Sequence, residues 1–188
     1  MTPEELYLRD VLLQLRKQKE MADKALAQTS DQGFFATLDT ETNSIALNLK
    51  HVAGNMRSRW TDFLTSDGEK PDRHRDSEFV IEEGMTRGSV TALWEDGWRR
   101  TFSAIEPLVA ADLLRVITIR GEPHTVMEAI NRQLTHYSYH VGQIVLLAKH
   151  YAGERWQSLS IPRGRSADFD GPKRGGVHGT KAESATNE

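Results

Sequence analysis

The sequence predicts an all-α protein, a four-helix bundle with a short extended segment before its last helix. Four segments carry apolar residues at steps of three and four, the spacing that gathers them on one helical face. Each is bounded by residues that start or stop helices, and the connections between them are short. One β-branched run interrupts the pattern.

The first helix opens on Thr2-Pro3-Glu4-Glu5, a hydroxyl to cap it, a proline for its first turn and two acids for the positive end of its dipole. Tyr7, Leu8, Val11, Leu12 and Leu15 then recur at helical spacing, and the helix is expected to reach Ala27 and to break at Ser30-Asp31-Gln32-Gly33. Thr42-Asn43-Ser44 caps the second, whose stripe is Ile45, Leu49, Val52, Met56, Trp60 and Phe63. Residues 66–77 read as a polar, turn-rich loop. The third spans about Thr86 to Glu106, with Val90, Leu93, Trp94, Trp98, Phe102 and Ile105 on one face and Pro107 behind it. Leu113 to Arg120 reads as a strand or extended segment ending at Gly121. The fourth helix is expected from about Pro123 to Tyr151, with Val126, Ile130, Leu134, Val141, Ile144 and Ala148 as its stripe and Gly153 at its end.

Hydrophobic residues make up 38% of the 188 and concentrate before about residue 150, so that part can build a core and the end cannot. Residues 1–156 are therefore expected to form the helical domain and 157–188 an extended segment and tail, disordered from about Gly171. There is no cysteine, which excludes disulfides, thiolate metal ligands and a cysteine nucleophile together. A net charge of −3 gives no electrostatic footprint for nucleic acid, and the pairs Arg57/Arg59 and Arg73/Arg75, set among acids, read as solvated surface. Neither a signal peptide nor a membrane-spanning run is present, so a soluble cytoplasmic protein is expected.

Seven histidines are present, and the informative pair is His136 and His140 in THYSYH. Four residues is just over one helical turn, so both rings leave one face and their nitrogens can meet on one ion. The pair flanks the apolar stripe, a position open equally to a crevice ligand and to an ordinary boundary histidine. A third ligand must come from another element. His51 is the candidate, on a face of the second helix with Leu47, Asn48, Gly54 and Asn55; that face fits a pocket lining or solvent about equally. His74, His124, His150 and His178 need no site. Trp60, Trp94 and Trp98 read as packing.

The order LNLKHVAGNMRSRWTDF, ITIRGEPHTV and HYSYHVGQIV, with WQSLSIPRGRSADF after it, resembles the DinB/YfiT-like superfamily, and more narrowly a bacterial branch known only as a domain of unknown function. The resemblance covers about residues 5–170. It implies a four-helix bundle, often a homodimer, with a histidine triad that holds a divalent ion. Carried over by position, that triad is His51, His136 and His140. Zinc or nickel is the implied metal, with manganese or iron as further fits; some relatives transfer low-molecular-weight thiols.

Three neutral imidazoles leave an open coordination position, the mark of a catalytic rather than a structural ion. The expected function is a metal-dependent enzyme on a small-molecule substrate, either a thiol S-transferase or a hydrolase. The competing class is a non-catalytic bundle that dimerises or binds a partner. Asn48 and Asn55 beside His51, and Gln143 beside His140, are candidates to orient rings or substrate. Arg163 and Ser166 are candidates to hold an anionic substrate, or else belong to a docking segment. No carboxylate stands out as a general base, and the loop with Asp72, Arg73 and Asp76 reads as solvated.

Overall fold

In the computed structural model, which describes residues 1–165, the chain is mostly helical with one small two-stranded sheet. Residues 1–156 form one compact unit. Its helices are α1 (Pro3–Leu26), α2 (Asp31–Phe35), α3 (Ile45–Trp60), α4 (Arg87–Ile105) and α5 (Val126–Ala152). Strands β1 (Val116–Ile119) and β2 (Glu122–Thr125) pair antiparallel, with Val116 opposite Thr125 and Ile119 opposite Glu122. No described helix is long and apolar enough to cross a membrane.

The caps explain where the long helices begin. Thr2, Ser44, Thr86 and Thr125 each accept the amide of the third residue of the helix that follows, and in α1, α4 and α5 that residue's side chain returns the bond. Two boundaries differ from the sequence reading. α1 ends at Leu26, and Ser30, in the run read as its break, caps a further short helix, accepting the Gly33 amide. Pro123 opens no helix: it lies in β2, and α5 starts only after Thr125. The extended segment is thus the first strand of a hairpin, whose second strand is the run read as a helix start.

Packing follows the predicted stripes. Leu49, Val52 and Met56 of α3, Trp94 and Trp98 of α4, and Ile130, Val141 and Ile144 of α5 are all at most 1% exposed; each such side chain stabilises the fold by about 1.5–3 kcal/mol. Leu93 is the exception, exposed on α4 although its spacing put it on the apolar face. Helices α3 and α4 touch closely at Gly97, where a β-carbon would lie 2.9 Å from Met56 Sδ and 3.2 Å from Ala53 Cα. Polar ties close the core: Trp60 Nε1 donates to Tyr137 Oη (2.9 Å) and Trp94 Nε1 to Asp23 Oδ1 (3.1 Å).

The segment between α3 and α4 is pinned at three points. Ser58 Oγ donates to the Gly68 carbonyl (3.0 Å) and accepts the Lys70 amide (2.9 Å). The Gly68 amide reaches Thr118 O of β1 at 2.8 Å. Asp67 accepts the amides of Glu69, Arg120 and Gly121 at 2.7–2.9 Å, holding the hairpin turn in which Arg120 has φ +57°. A loop tied to both a helix and a hairpin can hold side chains in fixed places, and this one contains a 3-10 turn, Arg75–Phe79, packed on α3.

Candidate metal centre

Two helices bring three imidazoles together. His136 and His140, one turn apart on α5, have ring centroids 4.7 Å from each other; His51 on α3 lies 5.5 Å from the first and 4.9 Å from the second. Each offers a ring nitrogen, and these nitrogens lie within 4.8 Å of one another. His51 and His140 are 5% and 7% exposed, so the α3 face that sequence left open between pocket and solvent is a buried one.

Hydrogen bonds to Nδ1 set the tautomers of two rings. His51 Nδ1 donates to Glu78 Oε2 at 2.9 Å, since a carboxylate can only accept. His140 Nδ1 faces Asn48 Oδ1 at 2.9 Å, and the amide's orientation is fixed because Asn48 Nδ2 donates to the Ser44 carbonyl (2.9 Å). Both rings therefore present Nε2 as a free lone pair. In His136, Nδ1 is buried with no partner. Burial, with the neighbouring His140 and His51 adding to it, pushes His136 down to about 3; burial and His51 push His140 down to about 4. Both are neutral near pH 7, the form that binds metal.

Glu78 is the carboxylate that sequence reasoning did not find. Arg73 grips it as a fork, Nε to Oε1 at 2.8 Å and Nη2 to Oε2 at 2.9 Å. Burial works to raise its carboxyl, but the bonds from Arg73 and His51 outweigh that and hold it below the usual range. The expectation of a solvated loop fails for Arg73, whose side chain is 3% exposed, and holds for exposed Asp72 and Asp76. Gly54, one turn after His51, makes room: a β-carbon there would lie 2.7 Å from Glu78 Cδ. A glycine on the histidine face of α3 was the one available signal for Glu78.

A family model described as "Protein of unknown function (DUF1572)" matches residues 3–165. The chain belongs to this family. No curated protein and no solved structure matches it.

In this DUF1572 chain the other candidate residues separate clearly. Asn55 is buried and receives a long hydrogen bond from Tyr137 Oη (3.4 Å), in a cleft of about 180 Å³ that His51 and His136 also line. Gln143 is half-buried and hydrogen-bonded to His140. Arg163 is exposed in residues 157–165, which form no part of the compact unit; Ser166, the tail and His178 lie outside the described residues. Arg59 was also read as solvated, yet it is 2% exposed and lines the cleft.

Proposed function

We propose that His51, His136 and His140 hold a divalent metal ion and that the chain is a metal-dependent enzyme acting on a small molecule. The observation that carries this is the convergence of three imidazoles from two helices, His51 and His140 buried and His136 half-buried, with burial keeping His136 and His140 neutral near pH 7. Two of them are held in the metal-binding tautomer by Glu78 and Asn48, as histidine ligands usually are. The donor set fits: a tetrahedral ion with bonds of about 2.0–2.1 Å separates its ligands by roughly 3.4 Å. Rings whose nitrogens lie within 4.8 Å need swing inward by under about 1 Å each.

Zinc or nickel suits three imidazoles best, with manganese or iron as further fits. When bound, such an ion supplies Lewis acidity, which serves both thiol transfer to an electrophile and hydrolysis. The chain has no cysteine, so a thiol would come from a low-molecular-weight co-substrate. Glu78 and Asn48 orient the ligands by holding Nδ1 of His51 and of His140. With Oε2 on His51 and both oxygens gripped by Arg73, Glu78 serves better as an orienting group than as a general base. The helix order and histidine positions support placing the protein among DinB/YfiT-like four-helix bundles.

The test is elemental analysis of purified, tag-free protein beside His51→Ala and His136→Ala. About one ion per chain, absent from both variants with helicity intact, is the expected result. No ion bound, and none acquired on titration with zinc, nickel or manganese, would overturn the reading.

A dimerising bundle is favoured by one observation: Tyr139 and Leu146, two turns apart on α5, are each 63% exposed. A homodimer through this face is compatible with either function. Sedimentation of Leu146→Glu distinguishes it, since a dimer built on α5 dissociates and any other species is unaffected.

A further inference from the structure

The cleft beside the histidines is positively charged on a chain of net charge −3. Five arginines line it: Arg59 from α3, Arg73 and Arg75 from the pinned loop, Arg120 from the hairpin turn and Arg132 from α5. Three carboxylates stand against them. Glu78 is engaged by Arg73 and His51, Glu69 by Arg73 and Arg120, and Asp67 by backbone amides. Cations remain in excess, and the side chains of Arg75 and Arg132 have no hydrogen bond or ion pair among the described residues.

Arg59 is the residue that a purely structural cleft does not explain. It lies two turns along α3 from His51, with Asn55 between them, so the three share one helical face. It is 2% exposed, yet Nε and Nη1 have no acceptor, and Nη2 is 3.8 Å from Glu69 Oε2, beyond hydrogen-bond reach. A buried guanidinium with open donors costs several kcal/mol unless something anionic meets it. Gln133, 2% exposed on α5, leaves Oε1 without a donor at the same cleft.

We propose that this cleft binds the anionic group, carboxylate or phosphate, of a small substrate. Arg59 meets the oxoanion from within, and Arg75 and Arg132 close on it from the rim. Gln133 accepts an O–H or N–H next to that group. His51 and His136 line the same cleft, so the remainder of the substrate is presented to the metal. A cleft of about 180 Å³ has room for a small acid or phosphate. The proposal rests on the metal reading for its purpose, but the anion is measured without the metal.

The experiment is calorimetric titration of the metal-free full chain, at low ionic strength, with inorganic phosphate and separately with succinate. The variants are the double substitution Arg75→Gln/Arg132→Gln, which breaks no ion pair and spares the fold, and Arg59→Met. Arg9→Gln/Lys17→Gln, on exposed α1 surface, is the control for the loss of two positive charges. Saturable binding of at least one probe, weakened about tenfold or more in the double variant and unchanged in the control, is expected from the loss of two charge-assisted contacts. Preference for phosphate or for succinate assigns the group. No saturable binding of either probe, or equal binding by the double variant, overturns the proposal. Anion binding by a protein that takes up no metal sinks the metal reading and leaves this one standing; one ion per chain without anion binding does the reverse.

Discussion

Gly54 and Glu78 occupy complementary space: the carboxylate sits where any side chain on that turn of α3 would have to be. This reverses the usual sign of a helical glycine. In an open helix interior Gly→Ala stabilises by roughly 1 kcal/mol. Here Gly54→Ala is expected to destabilise by about 1–3 kcal/mol, because Glu78 must leave both Arg73 and His51. Urea unfolding of the single variant and of Gly54→Ala/Glu78→Ala checks it. The pair should be milder than the sum of its parts, and additivity would show that the two residues do not compete.

Glu78→Gln keeps the shape but removes the charge that orients and polarises His51. Metal affinity should fall about 10–100-fold, as for other groups that support a histidine ligand, while one ion per chain still binds at saturation. Competition against a chromophoric chelator reads the affinity. An unchanged value would mean that the His51–Glu78 contact is a structural ion pair and nothing more.

Acid should weaken the metal-free protein before its ordinary carboxylates titrate. In the unfolded chain histidine takes up its proton near 6.5. In the fold His136 does so only at about 3 and His140 at about 4. Between those limits the unfolded state binds more protons, so stability falls as pH drops below about 6.5. Glu78, held below its usual range, adds a loss of the same sign further down. Urea midpoints at pH 8, 6 and 5 should decline in that order, with a shallower decline in His136→Asn. A midpoint that rises toward pH 5 would contradict the buried, neutral state of these rings.

Asp67→Ala removes the acceptor of three amides and should cost about 1–3 kcal/mol. Its effect should be local first: amide exchange at Arg120 and Gly121 accelerates more than exchange in α5. Equal protection of the turn in both proteins would show that the hairpin holds itself.

What sequence could reveal followed the range of its signals. Helix starts were legible because a cap and its helix are neighbours: Thr2, Ser44 and Thr86 stand where expected. The His136/His140 pair was legible for the same reason. Period alone could not place His51, since a pocket-lining face and a wet face carry the same small and polar residues. Periodicity could not reach Glu78 or the burial of Arg73, and Gly54 alone hinted at the first: they come from a loop without a repeat, and the tertiary ties of Ser58, Asp67 and Gly68 deliver them to α3. Strand β2 was missed because Pro123 is as suited to an edge strand as to a helix start.

The two helices that supply the imidazoles are far apart in the chain, and this gives an ion a second role. His51 and His136 are separated by about 85 residues. A ligand shared between them is a cross-link that closes a loop of that length, and the chain-entropy relation for such closures gives on the order of 4–5 kcal/mol. Helix α4 and the hairpin lie inside this loop although neither supplies an imidazole. Chelation would therefore act on them as a mild denaturant does, lowering the melting temperature of the whole unit rather than loosening one pocket.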